Sequence, residues 1–468
     1  MSYKLLIDGQ LVEGSQSLPV INPATGKVFA TCARANEAQA LDAIAAAKRA
    51  FGPWSALSHA DRQRHLDAFA DGIEDRQAEF TDLLTKEQGK PLAEAGYEVA
   101  GSIAILRHFA GVELPLKTLR ESAEGKILEQ HVPLGVVAAI TPWNFPLSIL
   151  MLKVGPCLST GNTMVAKPAP TTPLTTALLG EIAVETLPAG VFNVIIDDND
   201  LGPLLSAHPD IAKVSFTGST ATGRRVMESA AGTLKRLTLE LGGNDAAIIL
   251  DDVDPKAIAP RIFSAATFNA GQVCLAAKRI YAPRASYDAL CEELAMLARS
   301  AVVDDGMNPG TQIGPLQNRQ QYDKVLGFIE EAGRVGTIVA GGKAIERDGY
   351  FVQPTIVRDL PDDAPLVQEE QFGPVVPVLA YDTVDEVIEK ANASPYGLGG
   401  TIWTNDVDRG IAIATRIETG TIWINKHLDL PLDVPFGGAK QSGMGQESGL
   451  EGLKEFTQTK IINAAMSF

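Results

Sequence analysis

Four cysteines, Cys32, Cys157, Cys274 and Cys291, are the first candidates for covalent chemistry in this chain. A thiol attacks carbon only as the thiolate, so a nucleophilic cysteine needs a helix N-terminus, a cation or a base beside it. Cys32, Cys157 and Cys291 sit inside apolar or helical patterns and read as small buried hydrophobes. Cys274 closes Phe268-Asn269-Ala270-Gly271-Gln272-Val273-Cys274, a polar, glycine-containing approach to a thiol. By itself that segment also admits an inert cysteine. The four are too scattered for a disulfide framework and lack CxxC spacing, so no metal site is expected.

Three further segments carry groups that such a thiol could use. Glu240 ends Leu237-Thr238-Leu239-Glu240-Leu241-Gly242-Gly243-Asn244. A carboxylate closing an apolar strand faces a cleft at the strand's C-terminal end, where partial burial raises its pKa toward a general base, or it caps the following turn. Thr141-Pro142-Trp143-Asn144-Phe145-Pro146 follows a strand ending at Ile140; the Asn144 amide could donate to an oxyanion, or the segment could be a structural prolyl turn. Phe216-Thr217-Gly218-Ser219-Thr220-Ala221-Thr222-Gly223 also leaves a strand and opens a helix. Its Gly218 and Gly223 would let backbone N–H groups approach a pyrophosphate, although it is not the G-x-G-x-x-G fingerprint.

Positioning these groups takes a scaffold, and its pattern is legible from about residue 133 onward. β-rich runs at 136–140, 163–166, 191–196, 214–216 and 237–239 alternate with helical patterns at 174–186 and 221–231, the latter ended by Gly232. Strands separated in this way form a parallel sheet covered on both faces. The first 115 or so residues read as mainly helical, around 37–51 and 60–88, with Gly89 as a helix stop and Pro91 beyond it. A second series begins at 246–250, with Asp251 and Asp254 as helix N-caps before Pro255, and continues through 279–283, 337–339, 375–380 and 421–425. The join at Gly242–Gly243 divides the two.

The 468 residues exceed one ordinary domain; 45% are hydrophobic and 21% charged, a globular composition. A net charge of −17 repels phosphate backbones and anionic lipid, so neither nucleic acid nor a membrane is an expected partner. Met1 to Asp8 lacks a basic-then-apolar signal design and no apolar run reaches membrane-spanning length, so a cytoplasmic location is expected.

Taken in order, the segments resemble the aldehyde dehydrogenase superfamily. The resemblance rests on Pro142-Trp143-Asn144-Phe145-Pro146, Lys167-Pro168-Ala169, Phe216-Thr217-Gly218-Ser219-Thr220, Glu240-Leu241-Gly242-Gly243, Gly271-Gln272-Val273-Cys274, Glu370-Gln371-Phe372-Gly373-Pro374-Val375 and Pro435-Phe436-Gly437-Gly438-Ala439-Lys440, and runs from about Asn22 to Lys460. It implies an α/β fold: a Rossmann-like cofactor domain over 1–116 and 134–243, an α/β catalytic domain over 244–435, and a small β oligomerisation element from 117–133 and 456–468. It implies a homodimer or homotetramer and oxidation of a small aldehyde to the acid with NAD. In the roles it implies, Cys274 attacks the aldehyde, Asn144 and the Cys274 N–H hold the oxyanion, and Glu240 activates water against the thioester. Cofactor contacts would come from Trp143, Lys167, Pro170, Gly218, Ser219, Gly223, Glu370 and Phe372. The aldehyde tunnel would be walled by Phe145, Ile149, Leu152, Val273, Leu275, Leu428, Leu430 and Phe436, favouring medium-chain aliphatic or aromatic aldehydes, with Lys426 and His427 as the nearby polar groups.

The chain departs from the family pattern twice. Pro170 stands where many NAD-using relatives carry a glutamate on the ribose, which admits NADP beside NAD, and Gln446 stands where an arginine is usual. Rival classes are a binding protein that keeps the fold without turnover, a cofactor-free thiol hydrolase, and an acyl transferase to coenzyme A. The intact Cys274, Glu240 and Asn144 set opposes the first, and Glu240 favours water as acyl acceptor over a thiol.

Overall fold

Two open sheets organise the chain, and the functional segments of the first leave the C-terminal ends of its strands. The computed structural model describes residues 3–466; Met1, Ser2, Ser467 and Phe468, at the ends of the ranges assigned above, lie outside the described residues. The first sheet has eight strands in the order Gln10–Val12, Leu5–Ile7, Phe192–Val194, Thr163–Lys167, Val136–Ile140, Ile211–Thr217, Arg236–Glu240 and Gly443–Met444. The five from Phe192–Val194 to Arg236–Glu240 run parallel, and the pairs at either side are antiparallel. The parallel strands are buried through almost their whole length, which explains their continuous apolar runs.

The strand order reverses across this sheet between Val136–Ile140 and Ile211–Thr217, parallel neighbours far apart in sequence. Register aligns Ile140 with Lys167 and with Phe216, and Thr217 with Glu240. The residues following these positions therefore emerge side by side at a topological switch point, where open α/β sheets bind ligands.

The second sheet has seven strands, Thr337–Ala340, Thr355–Arg358, Val375–Tyr381, Arg279–Pro283, Ala246–Ile249, Gly400–Trp403 and Trp423–Ile424, parallel except at the first. A third sheet pairs Thr457–Ala465 with Gly125–Pro133 and Lys117–Glu121. It leaves Leu119, Ile461 and Ile462 exposed.

Several sequence expectations need correction. The N-terminal region carries four strands, Leu5–Ile7, Gln10–Val12, Gln16–Asn22 and Lys27–Arg34, before its first helix. Two are three residues long, and the longer pair forms its own two-stranded ribbon, so none shows a sustained apolar run. The helical pattern at 60–88 breaks at Arg76 into His59–Asp75 and Gln77–Gln88. There the backbone leaves helical geometry and the guanidinium bridges Glu79 and Glu181. Gly89 does end the second of these, at φ +99°. Asp254 caps Pro255–Thr267, whereas Asp251 pairs with Arg409 instead. The run at 421–425 pairs only over Trp423–Ile424, and 191–196 only over Phe192–Val194. The Gly443–Met444 strand returns to the first sheet beside Glu240, a long-range closure that no local pattern signals.

Candidate active site

Cys274 sits on a loop held in an uncommon backbone conformation. Asn269, Ala270 and Gly271 all have positive φ (50°, 55° and 72°), a costly sequence of angles that persists only where surroundings enforce it. At Gly271 the enforcement is steric, since a Cβ there would meet the carbonyl oxygen of Gly373 at 2.4 Å. The helix Pro255–Thr267 feeds this loop and the strand Arg279–Pro283 receives it. Around the partly buried thiol pack Val273, Leu275, Ala276, Leu398 and Trp423, with Phe145, Phe268, Leu428 and Phe436 against them.

Asn144 reaches the same loop from the first sheet. Its Nδ2 donates to the Gln272 carbonyl at 3.0 Å, and its own carbonyl accepts from Lys90 Nζ at 2.9 Å and Asn269 Nδ2 at 3.0 Å. Lys90 is paired in turn with Glu98 at 2.6 Å, and Glu98 accepts from the N–H groups of Leu147 and Ser148, capping the helix Pro146–Ser159. A buried ion pair thus fixes the turn that presents Asn144.

Glu240, 4% exposed, ends its strand with both carboxylate oxygens buried and without a hydrogen-bond partner. Burial drives its pKa well above the ordinary carboxylate range, the nearby Glu447 carboxylate adds to the rise, and Lys153 opposes it. Lys153 and Glu447, both buried, form a 2.5 Å ion pair. The Cys274 thiol is pushed up to about 12, chiefly by burial; Lys278 pulls it down, and Glu370, Asp245 and Glu240 add to the rise. Thiol and carboxyl are therefore both driven toward their neutral forms.

The proposed cofactor residues gather along the C-terminal edge of the first sheet. Lys167 ends its strand and pairs with the buried Asp197 at 2.6 Å, while Pro170 lies three residues on. Ser219 caps the helix Thr220–Ala230 by accepting from the Thr222 N–H. Gly218 would place a Cβ 2.6 Å from the Phe216 ring, and Gly223 one 2.5 Å from Leu241, so neither position accepts a side chain without rearrangement. Trp143 and Phe372 meet edge to face at 5.3 Å, and Glu370 accepts from the Gly243 N–H at 3.0 Å. Thr141 and Thr217 hydroxyls on this edge are buried without partners. Glycines, a helix N-terminus and unpaired hydroxyls suit a dinucleotide.

Of the eight tunnel residues, Phe145, Val273, Leu275, Leu428 and Phe436 cluster with Cys274. Ile149 and Leu152 lie on the Pro146–Ser159 helix, Leu152 packing against the core of the first sheet, and Leu430 is 41% exposed, outside the cluster. Lys426 is exposed and paired with Asp429, and His427 donates from Nε2 to the Leu275 carbonyl at 2.7 Å. Burial lowers the His427 pKa to about 4, which fixes the ring neutral and Nε2 as the donor. Gln446 is exposed at a polar cleft beside Arg236 and Thr457, and nothing in the structure explains the glutamine.

Residues that sequence reasoning missed are Lys153, Lys278, Asp197, Glu447, Lys90 and Phe268. A lysine inside the apolar run of the Pro146–Ser159 helix was the readable signal for Lys153; its partner Glu447 lies 294 residues away.

The aldehyde dehydrogenase family profile matches residues 11–462. A betaine aldehyde dehydrogenase of Rhizobium etli is 39% identical over 477 residues, covering 98% of this chain and 96% of that one. An NAD+ complex of an aldehyde dehydrogenase from Bacillus cereus superposes with a TM-score of 0.97 at 36% identity, covering 100% of this chain and 97% of the other. An NADP-dependent enzyme from E. coli also gives 0.97, at 35% identity over 99% and 98% of the two chains.

Proposed function

The chain belongs to the aldehyde dehydrogenase family and is an NAD(P)-dependent enzyme that oxidises aldehydes, and from that premise we propose that it works through a Cys274 thioester cleaved by water at Glu240. What supports this reading is the apolar cluster around Cys274, the Asn144 amide bonded to the Cys274 loop, and the buried, unpaired Glu240 carboxyl, near enough for its charge to oppose a Cys274 thiolate.

Cys274 Sγ, as the thiolate, adds to the carbonyl carbon and a C–S bond forms. The oxygen becomes an oxyanion, met by the second N–H of Asn144 and the Cys274 N–H; pre-aimed donors of this kind contribute about 3–4 kcal/mol each. A bound NAD(P) would supply the acceptor for the hydride that leaves the carbon. Collapse of the oxyanion leaves an acyl thioester on Cys274. Glu240 then takes a proton from water, the hydroxide adds to the thioester carbon, the C–S bond breaks, and acid leaves with the thiolate restored. Trp143, Gly218, Ser219 and Gly223 would hold the dinucleotide, with Lys167, Pro170 and Asp197 at the adenosine ribose and Glu370 with Phe372 at the nicotinamide ribose.

The domain limits 1–116 with 134–243, 244–435, and 117–133 with 456–468 belong to this reading. Its support is that each range carries a sheet of its own, residues 436–455 adding one short strand to the first and pairing another with Tyr396–Gly397 of the second range. The exposed apolar side chains of the third sheet suit a dimer or tetramer.

For the substrate we favour medium-chain aliphatic or aromatic aldehydes. The walls at Cys274 are apolar, His427 is neutral, and the Lys426 charge is matched by Asp429. Each buried methylene adds about 0.8 kcal/mol, nearly fourfold in affinity, until the pocket is full. A quaternary ammonium aldehyde, the substrate in the name of the Rhizobium relative, would meet Phe145 with Lys90 Nζ already 3.8 Å over its ring. An aldehyde panel followed by absorbance of the reduced nicotinamide tests this. Hexanal and benzaldehyde should exceed succinic semialdehyde and betaine aldehyde in kcat/KM by at least about tenfold, the equivalent of about 1.4 kcal/mol. Equal or better use of either charged aldehyde would overturn the apolar pocket. Cys274→Ala should abolish turnover of all four, and retained turnover would remove Cys274 from the mechanism.

A further inference from the structure

A buried lysine lies directly behind the nucleophile loop and has no part in the steps above. Lys278, 1% exposed, donates from Nζ to the carbonyl oxygens of Val273 at 2.7 Å and Cys274 at 2.5 Å, and stands 3.5 Å from Glu370 Oε1. Taking an ammonium out of water is expensive, and a neutral donor would serve as well to brace two carbonyls. The charge has a use because of what surrounds the thiol. Glu240 comes from the end of its strand, Asp245 from the link between the two sheets, and Glu370 from the loop before Val375–Tyr381. Each of the three, when ionised, opposes a thiolate at Cys274; burial holds Glu240 above the ordinary carboxylate range and raises Asp245 to about 7. His427, the remaining titratable group on this side, is neutral.

We propose that Lys278 is a positioning residue that sets the reactivity of Cys274. It fixes the Cys274 backbone through two carbonyls, and its positive charge offsets the Asp245 and Glu370 carboxylates around the thiol. The proposal rests on Cys274 being the nucleophile. The ion pair with Glu370 also ties the nucleophile loop to the segment assigned to the nicotinamide ribose, so one cation serves both. The dual role explains a charged residue in so dry a place. A residue that only braced the loop would, on removal, leave the thiol more open and more reactive. Loss of the charge acts in the other direction, because the thiolate fraction falls.

Alkylation of Cys274 by iodoacetamide in the full-length enzyme, read by peptide mass spectrometry between pH 7 and 10, separates these effects and requires no aldehyde turnover. Lys278→Met should slow alkylation about tenfold at pH 8, the equivalent of one unit in thiol pKa, and should move the rise in rate to higher pH. Asp245→Asn keeps an acceptor for the Gly399 N–H, removes one opposing charge, and should speed alkylation. An unchanged or faster rate in Lys278→Met overturns the proposal. If that variant does not fold, an unchanged or slower rate in Asp245→Asn overturns it. Failure of the thioester reading would instead appear as turnover retained by Cys274→Ala, whatever the alkylation rates.

Discussion

At Lys167 the adenosine ribose would meet a cation that is already spoken for. Its Nζ lies 2.6 Å from Asp197 Oδ1, and Asp197 Oδ2 accepts from the Leu201 N–H, so the carboxylate is fixed in place. Pro170 had suggested a ribose site free of negative charge; Asp197 puts one back on the same sheet edge, from the loop after a different strand. A 2′-phosphate would therefore find Lys167 largely neutralised, and NAD should be preferred. Asp197→Asn should raise the NADP-to-NAD ratio of kcat/KM by at least about fivefold, the equivalent of about 1 kcal/mol. Pro170→Glu should lower the same ratio. Initial rates with each cofactor check both, and a ratio unmoved by either change would place neither residue near the ribose. Asp197 was hidden in Ile195-Ile196-Asp197-Asp198, where an acidic residue after an apolar run reads as an ordinary turn.

The elements themselves were largely written in the sequence, and the reason is burial. Strands covered on both faces need unbroken apolar runs, so Val136–Ile140, Thr163–Lys167 and Arg279–Pro283 stood out, while the short N-terminal strands did not. Contacts between elements were not written there. Lys153 on the Pro146–Ser159 helix and Glu447, just after the Gly443–Met444 strand, are 294 residues apart yet form a buried pair beside Glu240. The pair sets a pH dependence whose sign can be worked out. Glu240 acts as a base only when ionised, and its pKa is raised, so hydrolysis should climb as pH rises through that value. Glu447→Gln removes a like charge and releases Lys153, and both changes favour the Glu240 carboxylate. The acid limb of kcat should move to lower pH, for an aldehyde whose thioester hydrolysis limits turnover. A limb that stays in place or moves up would show that Glu240 does not sense Glu447.

Taken as a whole, the molecule builds its reacting centre from both large sheets. Asn144 and Glu240 come from the first, Cys274 and Lys278 from the second, and the hydrogen bonds from Asn144 Nδ2 to Gln272 and from the Gly243 N–H to Glu370 join them. The order of motifs along the chain made this centre legible in outline, because the motifs of the first sheet follow strands whose C-terminal ends lie side by side, while the Cys274 and Glu370 motifs precede strands of the second. The buried charges behind it were not legible: Lys90 and Lys153 are defined by partners that only the fold brings near, and Lys278, four residues after Cys274, shows no sign in the sequence that it turns back onto the loop. The division of labour between Cys274 and Glu240 is best tested on Glu240→Gln, rapidly mixed with hexanal and NAD and quenched with acid within seconds. The expected result is one equivalent of NADH formed quickly and a hexanoyl group recovered by mass spectrometry on the peptide carrying Cys274, with steady turnover slowed by roughly 10²–10⁴-fold. Wild-type steady turnover, or an acyl group on any residue other than Cys274, would contradict it.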